Sequence, residues 1–420
     1  MPRISERALL FLVGAVQFVN VLDFMMVMPL GPDFAAGLGI PASQLGLVGG
    51  AYTAAAAVAG IAGASFLDRF DRRSALGVAM VGLVLGTIAG GFSTGLASMV
   101  GARAIAGAFG GPATALTIAI VSDAIPAERR GKALGKVMGA FTISSVLGVP
   151  AGLELARLGT WRTPFFAVAA VGLLVAGASI WLMPRLRAHL DRLPERSTSS
   201  PSLLRSPAAL LSLAATGVAM ASGFALIPHL ATWFQFNLGY PRERLGVLYM
   251  VAGALTFFTL RLAGRMVDRY GAPRVAAAGT AVIVGVLAIG FGWPPAGLPV
   301  VPLFAAFMIG NSTRNVSVSA LSTRVPSPAE RARFLSAQSA VQHLASAAGA
   351  ALSSQLLHVE ADGRLGGMRG LATLSIVGSL TVPALLAAVV RRLPSNERVD
   401  SGSGSVLSSA MGAGTTHEPT

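Results

Sequence analysis

An ionisable side chain inside a long apolar stretch is costly and therefore needs a chemical reason. Asp23 is the clearest case, about 15 residues into an apolar run, within Gln17-Phe18-Val19-Asn20-Val21-Leu22-Asp23. Asn20, three residues earlier, shares its face on a helix. Arg103 sits in a second such run, in Arg103-Ala104-Ile105-Ala106-Gly107. Helical rise puts Asp23 ~10 Å from the outer end of its run and Arg103 ~9 Å from the outer end of its own. The two can therefore meet at one depth, where an acid and a guanidinium out of water should pair. Protonating Asp23 would release Arg103, which is the action of a proton-coupling switch. Two plainer readings stand beside this one: a purely structural ion pair, or an acid solvated among the outer headgroups.

A third polar cluster is Asn311-Ser312-Thr313-Arg314-Asn315. Facing lipid, it would leave several polar groups unsatisfied, so it is expected to face water or the other half of the molecule. Arg314 would then bind an anionic group or neutralise an acid, unless it snorkels to the inner interface. Gln338, Gln342 and His343 mark a further run. Gln17, Asn20, Asn311, Arg314, Asn315, Gln342 and His343 are the candidate substrate cavity. Glu154 reads as interfacial and Arg261 as part of an inner boundary. The chain has no cysteine and only five histidines, with no metal-binding pair at i, i+4 and no phosphate-binding Gly-x-x-x-x-Gly-Lys-Ser/Thr loop. Neither an enzyme nor an ATPase is expected, and no cofactor or metal.

The elements that position these residues follow from composition. Of 420 residues 53% are hydrophobic and 12% charged, about half the roughly 25% charged residues usual in soluble proteins. About 20 apolar residues cross a bilayer as a helix. Twelve such stretches occur, near 8–30, 44–67, 75–93, 97–121, 134–156, 164–183, 207–232, 245–266, 275–293, 298–321, 335–357 and 371–390. The first follows Arg3 and Arg7 but is too long for the apolar core of a signal peptide. With the N-terminus inside, 23 of the 32 basic residues fall inside, six outside and three within spans. That bias predicts both termini in the cytoplasm and accounts for the net charge of +14 without nucleic acid.

Residues 184–206, PRLRAHLDRLPERSTSSPSLLRS, interrupt the apolar rhythm with prolines, serines and arginines. They predict a cytoplasmic linker between a bundle at 1–183 and another at 207–392, with a disordered tail at 393–420. The halves echo each other. Leu67-Asp68-Arg69-Phe70 follows span 2 and Val267-Asp268-Arg269-Tyr270 follows span 8, 200 residues later. Pro126-Ala127-Glu128-Arg129 follows span 4 and Pro328-Ala329-Glu330-Arg331 follows span 10, 202 residues later. Such repeats are a common plan of transporters, with the site between them.

These motifs resemble the major facilitator superfamily, whose loop after span 2 reads Gly-x-x-x-Asp-Arg-x-Gly-Arg-Arg/Lys. Ala64 and Asp71 replace the two glycines in the first copy, while Gly264 and Gly271 keep them in the second. Arg103-Ala104-Ile105-Ala106-Gly107 is similar to an arginine motif in span 4. Gly148-Val149-Pro150-Ala151-Gly152 resembles the span 5 motif of the twelve-span drug:proton antiporters, particularly their sugar-efflux-like bacterial branch. The resemblance implies an all-α fold of twelve transmembrane helices in two pseudo-symmetric six-helix bundles. It implies an inner gate at Asp68, Arg69, Arg72, Asp268 and Arg269, with Asp68 meeting span 11 near Phe334 and Asp268 meeting span 5 near Leu134. Gly107, Gly111, Gly148 and Gly152 would let helices approach closely, and Pro150 would bend span 5. The expected function is proton-coupled export of a small drug-like or sugar-like molecule by a monomer in the bacterial inner membrane. An uptake symporter or facilitator, or a receptor on the same scaffold, are the alternatives.

Overall fold

The computed structural model describes residues 5–187, 206–295, 297–327 and 330–393. Twelve long helical segments follow in order, numbered α1 to α12 here. The first five are α1 Glu6–Met26, α2 Leu45–Phe66, α3 Arg72–Gly91, α4 Leu96–Ala124, and α5, which is assembled from Ala127–Met138, Ala140–Ile143, Ser144–Gly148 and Val149–Leu158. Then come α6 Thr163–Leu182, α7 Pro207–Phe224, α8 Leu245–Tyr270 and α9 Ala272–Leu287. The last three are α10 Val300–Ser322, α11 Arg331–Leu356 and α12 Met368–Arg392. A two-stranded antiparallel hairpin, His358–Val359 with Leu365–Gly366, joins α11 to α12. Most of the linker (188–205) and of the tail (394–420) lies outside the described residues.

Ten of the described helices are long and apolar enough to cross a membrane. The exceptions are α10 and α11, which are long enough but too polar, because they carry Asn311 to Asn315 and the Gln338–His343 run. The twelve apolar stretches expected from sequence are thus ten, plus two helices polar enough to need shelter inside the protein. Large apolar side chains such as Phe11, Leu174, Trp181 and Phe258 stay exposed, the surface expected of a chain that meets hydrocarbon rather than water.

Helix ends follow local chemistry. Ser5 Oγ caps α1 by accepting from the Ala8 amide at 3.2 Å. Proline sits in the first turn of α6, α7 and α9, where its missing N–H removes no helical bond. Between α8 and α9, Gly271 takes φ +83°, a conformation that favours glycine. In α5, the Ser144–Gly148 stretch widens to a π-turn just before Pro150. Proline lacks the N–H that would bond the carbonyl four residues back, and the backbone shifts register to compensate.

At the end of the bundle where α2 and α8 begin, the two halves are pressed together. A Cβ on Gly46 of α2 would overlap the Ala350 carbonyl of α11, and one on Gly50 would lie 3.3 Å from the Ala347 oxygen. A Cβ on Gly253 of α8 would lie 3.0 Å from the Ser145 oxygen of α5. Arg242, just before α8, reaches Asp33 in the short helix Gly31–Leu38 with Nε–O distances of 2.8 and 3.0 Å and an Nη2–O distance of 2.6 Å. The same guanidinium also donates to the Leu153 carbonyl of α5 at 3.3 Å.

Candidate functional site: a buried acid and arginine

Asp23 and Arg103 face each other across α1 and α4, both wholly buried. Arg103 Nη1 donates to Asp23 Oδ2 at 2.9 Å and to Oδ1 at 3.1 Å, and Nη2 donates to the Asp23 carbonyl at 3.3 Å. Thr87 of α3 adds a hydroxyl 2.7 Å from Asp23 Oδ1 and 2.9 Å from its own Leu83 carbonyl. That hydroxyl has one proton, so it can serve only one of the two acceptors at a time. Burial rejects the reading in which Asp23 is solvated among headgroups. Desolvating either charge alone costs several kcal/mol, so a bonded pair is the arrangement that tolerates this depth.

A second layer holds the pair. The Tyr52 ring of α2 lies 4.8 Å from the Arg103 guanidinium carbon, and its hydroxyl donates to Asn20 Oδ1 at 2.8 Å. Asn20 Nδ2 donates to the Gly110 carbonyl at 3.0 Å and to Thr114 Oγ1 at 2.7 Å. The close α2–α4 approach rests on glycine, because a Cβ on Gly107 would overlap the Tyr52 carbonyl and one on Gly111 would sit 2.7 Å from the Ala56 oxygen. Gly148 is equally tight against Leu22, at 2.7 Å. Gly152 is not: its Cβ would make only ordinary contacts, 3.9 Å from Met26.

Several candidate cavity residues turn out to be internal ties. Asn20 has both amide protons and its oxygen bonded within the first half, so it belongs to the scaffold of the pair rather than to a water-facing wall. Arg314 neither snorkels nor faces water, and no acid pairs with it among the described residues. Fully buried, it donates to Ser379 Oγ at 2.7 Å, the Ala219 carbonyl at 2.8 Å and Asn311 Oδ1 at 2.9 Å. It thereby joins α10 to α12 and α7. Gln17 and Asn315 each keep a buried amide oxygen with no hydrogen-bond partner among the described residues, and the Nε atoms of Arg103 and Arg314 are likewise without one. Asn315 also lines a cleft with Leu260 of α8 and Ser319. Gln342 is exposed and His343 half-buried, while Gln338 donates to Thr216 Oγ1 at 3.3 Å.

At the opposite end of the bundle, Arg72 pairs with Asp123 at the end of α4, Nε–Oδ2 3.3 Å. Asp268 and Arg269 are exposed on the last turn of α8, and Arg269 lies over the Tyr270 ring. Asp68 lies on the 3-10 turn Leu67–Arg69, with Arg69 exposed, but the Asp68 side chain is outside what is described. Asp71, where the family pattern has glycine, caps α3 by accepting from the Arg73 amide at 2.9 Å. It also accepts from the Leu186 amide at 3.3 Å and from Arg187 Nε at 3.0 Å, fastening α3 to the chain beyond α6. Burial pushes its pKa up, but these amide bonds and the Arg187 charge outweigh that and hold it below the usual value.

Sequence reasoning missed Thr87, Tyr52, the Asp33–Arg242 bridge and His229, which is buried with Nε2 2.8 Å from Ser353 Oγ. Thr87 and Tyr52 carry no periodic or charge signal. Arg242 reads in sequence only as a loop charge, with nothing to tie it to Asp33. The capping role of Asp71, by contrast, has a readable sign, an Asp immediately before a helix.

Among the described residues, twelve long helices, ten of them apolar enough to span, with charges buried between them, define a multi-pass membrane protein. Residues 13–350 match the Major Facilitator Superfamily, and the chain belongs to that family. A chloramphenicol resistance protein of Streptomyces lividans is 27% identical over 283 residues, 66% of this chain and 71% of that protein. The purine ribonucleoside efflux pump NepI of Escherichia coli O157:H7 is 24% identical over 300 residues, 66% of this chain and 73% of the pump. Among solved structures, a bacterial homolog of the human lysosomal transporter Spinster, inward-facing and occupied, superposes with TM-score 0.73 at 18% identity. The match covers 96% of this chain and all of the other. A D-xylose-proton symporter gives TM-score 0.69 at 18% identity, covering 89% and 96%.

Proposed function

We propose that this chain is a proton-coupled antiporter that exports a small organic molecule across the bacterial inner membrane, with both termini in the cytoplasm. The observation that carries this reading is the Asp23–Arg103 pair, a titratable acid and its counter-charge sealed among α1, α3 and α4. Protonation of Asp23 removes the attraction that holds Arg103, and the freed guanidinium must find new acceptors. Tyr52, Asn20 and Gly110 transmit that rearrangement to the α2–α4 seam. The close α2–α11 and α5–α8 contacts shut one end of the bundle; with both termini in the cytoplasm that end is the outer one, and a substrate would reach Gln17 and Asn315 from the inner side. The unpartnered amide oxygens of those two residues suit a ligand that donates hydrogen bonds. Asp68 and Asp268 would close the inner side in the opposite state.

The efflux names of the two relatives choose the first probes, chloramphenicol and a purine ribonucleoside. Each is loaded on one side of proteoliposomes holding a pH-sensitive dye. Antiport moves protons against the flow of the probe. Proton movement in the same direction would replace export with symport, and probe flux without protons would leave a facilitator.

A further inference from the structure

We propose that the groove between the N-terminal ends of α1 and α5 binds an anionic phospholipid. This goes beyond the transport reading and does not depend on it. The groove has a volume of about 650 Å³, and every described residue that lines it comes from α1 and α5 of the first half of the chain.

Its rim is cationic. Arg129, Lys132 and Lys136 fall at i, i+3 and i+7 on one face of α5, and Arg7 lies opposite on α1. Among the described residues Glu6 is the single acid of the lining, and it is occupied by Arg129 at 3.0 Å. Arg7, Lys132 and Lys136 are exposed and have no acidic partner among the described residues. The floor is apolar. Phe11 is 79% exposed, and a Cβ on Gly14 would meet no atom within 4 Å, which leaves a slot beside the phenyl ring. From Phe11 to Phe18 the floor runs ~10 Å along α1, and Ile143 of α5 forms its other wall.

An inorganic anion would use the rim and ignore the floor; a neutral hydrophobe would do the reverse. A phospholipid with a net negative headgroup uses both. The basic-residue bias puts this end at the cytoplasmic leaflet, where such lipids meet cationic pockets between helices.

The test is native mass spectrometry of the detergent-purified full chain with equimolar phosphatidylglycerol and phosphatidylcholine. Wild type should retain phosphatidylglycerol about tenfold over phosphatidylcholine. K132Q/K136Q should cut phosphatidylglycerol retention by about tenfold or more and leave phosphatidylcholine unchanged. K132R/K136R should keep it, which preserves the test if the glutamine variant folds poorly. R265Q/R274Q, at the inner ends of α8 and α9, should change nothing. Equal retention of the two lipids, or an undiminished signal in K132Q/K136Q, would overturn the proposal. So would displacement of the lipid by millimolar inorganic phosphate alone, which would make the site a phosphate site.

Discussion

Among the described residues Arg103 and Arg314 head the fully buried side chains by size, one on α4 and the other on its repeat mate α10. Their surroundings could hardly be less alike. Arg103 meets a carboxylate, backed by a threonine hydroxyl and a tyrosine ring. Arg314 meets a serine hydroxyl, a backbone carbonyl and an asparagine amide, all neutral. A duplicated scaffold has placed a guanidinium in each half, and among the described residues only Arg103 has a carboxylate partner. The first half thus holds a buried ion pair, and the second ties its arginine to neutral groups.

The largest effects should separate these two roles. Replacing Asp23 with Ala strands a buried cation and should cost about 3–5 kcal/mol of stability, read by thermal or denaturant unfolding in detergent. Replacing Arg314 with Met takes a donor from Ser379 Oγ, the Ala219 carbonyl and Asn311 Oδ1 but strands no charge, so the loss should be smaller, about 1–3 kcal/mol. Equal losses would erase the contrast. The double variant D23N/R103Q should recover most of the stability lost by either single change, since the pair acts as one unit. Its transport, if retained, should no longer vary with pH.

Smaller effects sharpen the picture at the two ends of the bundle. Arg242→Ala should loosen the outer closure by up to ~1 kcal/mol, the upper range for a partly exposed ion pair. A cysteine at Ala347 in this cysteine-free chain should then react with an impermeant maleimide up to about fivefold faster. An unchanged rate would show that helix packing alone keeps the outer side shut. At the inner end, Asp71→Ala should cost ~1 kcal/mol through loss of the α3 cap. Because its folded pKa lies below the unfolded one, Asp71 contributes fully above the unfolded value. That contribution fades as pH falls through the folded value, so wild type and variant should converge in acid.

The Asp23–Arg103 meeting was legible in sequence because two antiparallel helices and a fixed rise per residue determine depth. Which way Arg314 points was not legible. Helical spacing says which residues share a face, but only the packing of α7 and α12 decides whether that face looks into the bundle or into water. Asn20 misled for the same reason, since its partners come from Tyr52 and from Gly110 and Thr114, far along the chain. The glycine seams were half legible: four-residue spacing marks Gly107 and Gly111, yet the same spacing at Gly152 marks no close approach. Pro150 announced a distortion in α5, and the structure places it one turn earlier, where the unbonded carbonyl lies.

The most direct test is proton movement in proteoliposomes, driven by whichever probe gives the largest signal in wild type. The wild-type chain should exchange protons for that probe. Asp23→Asn should bind or move the probe with no proton signal and no pH dependence, while Arg314→Met should keep both. Proton exchange persisting in Asp23→Asn at the wild-type level would contradict the assignment of the switch to this pair.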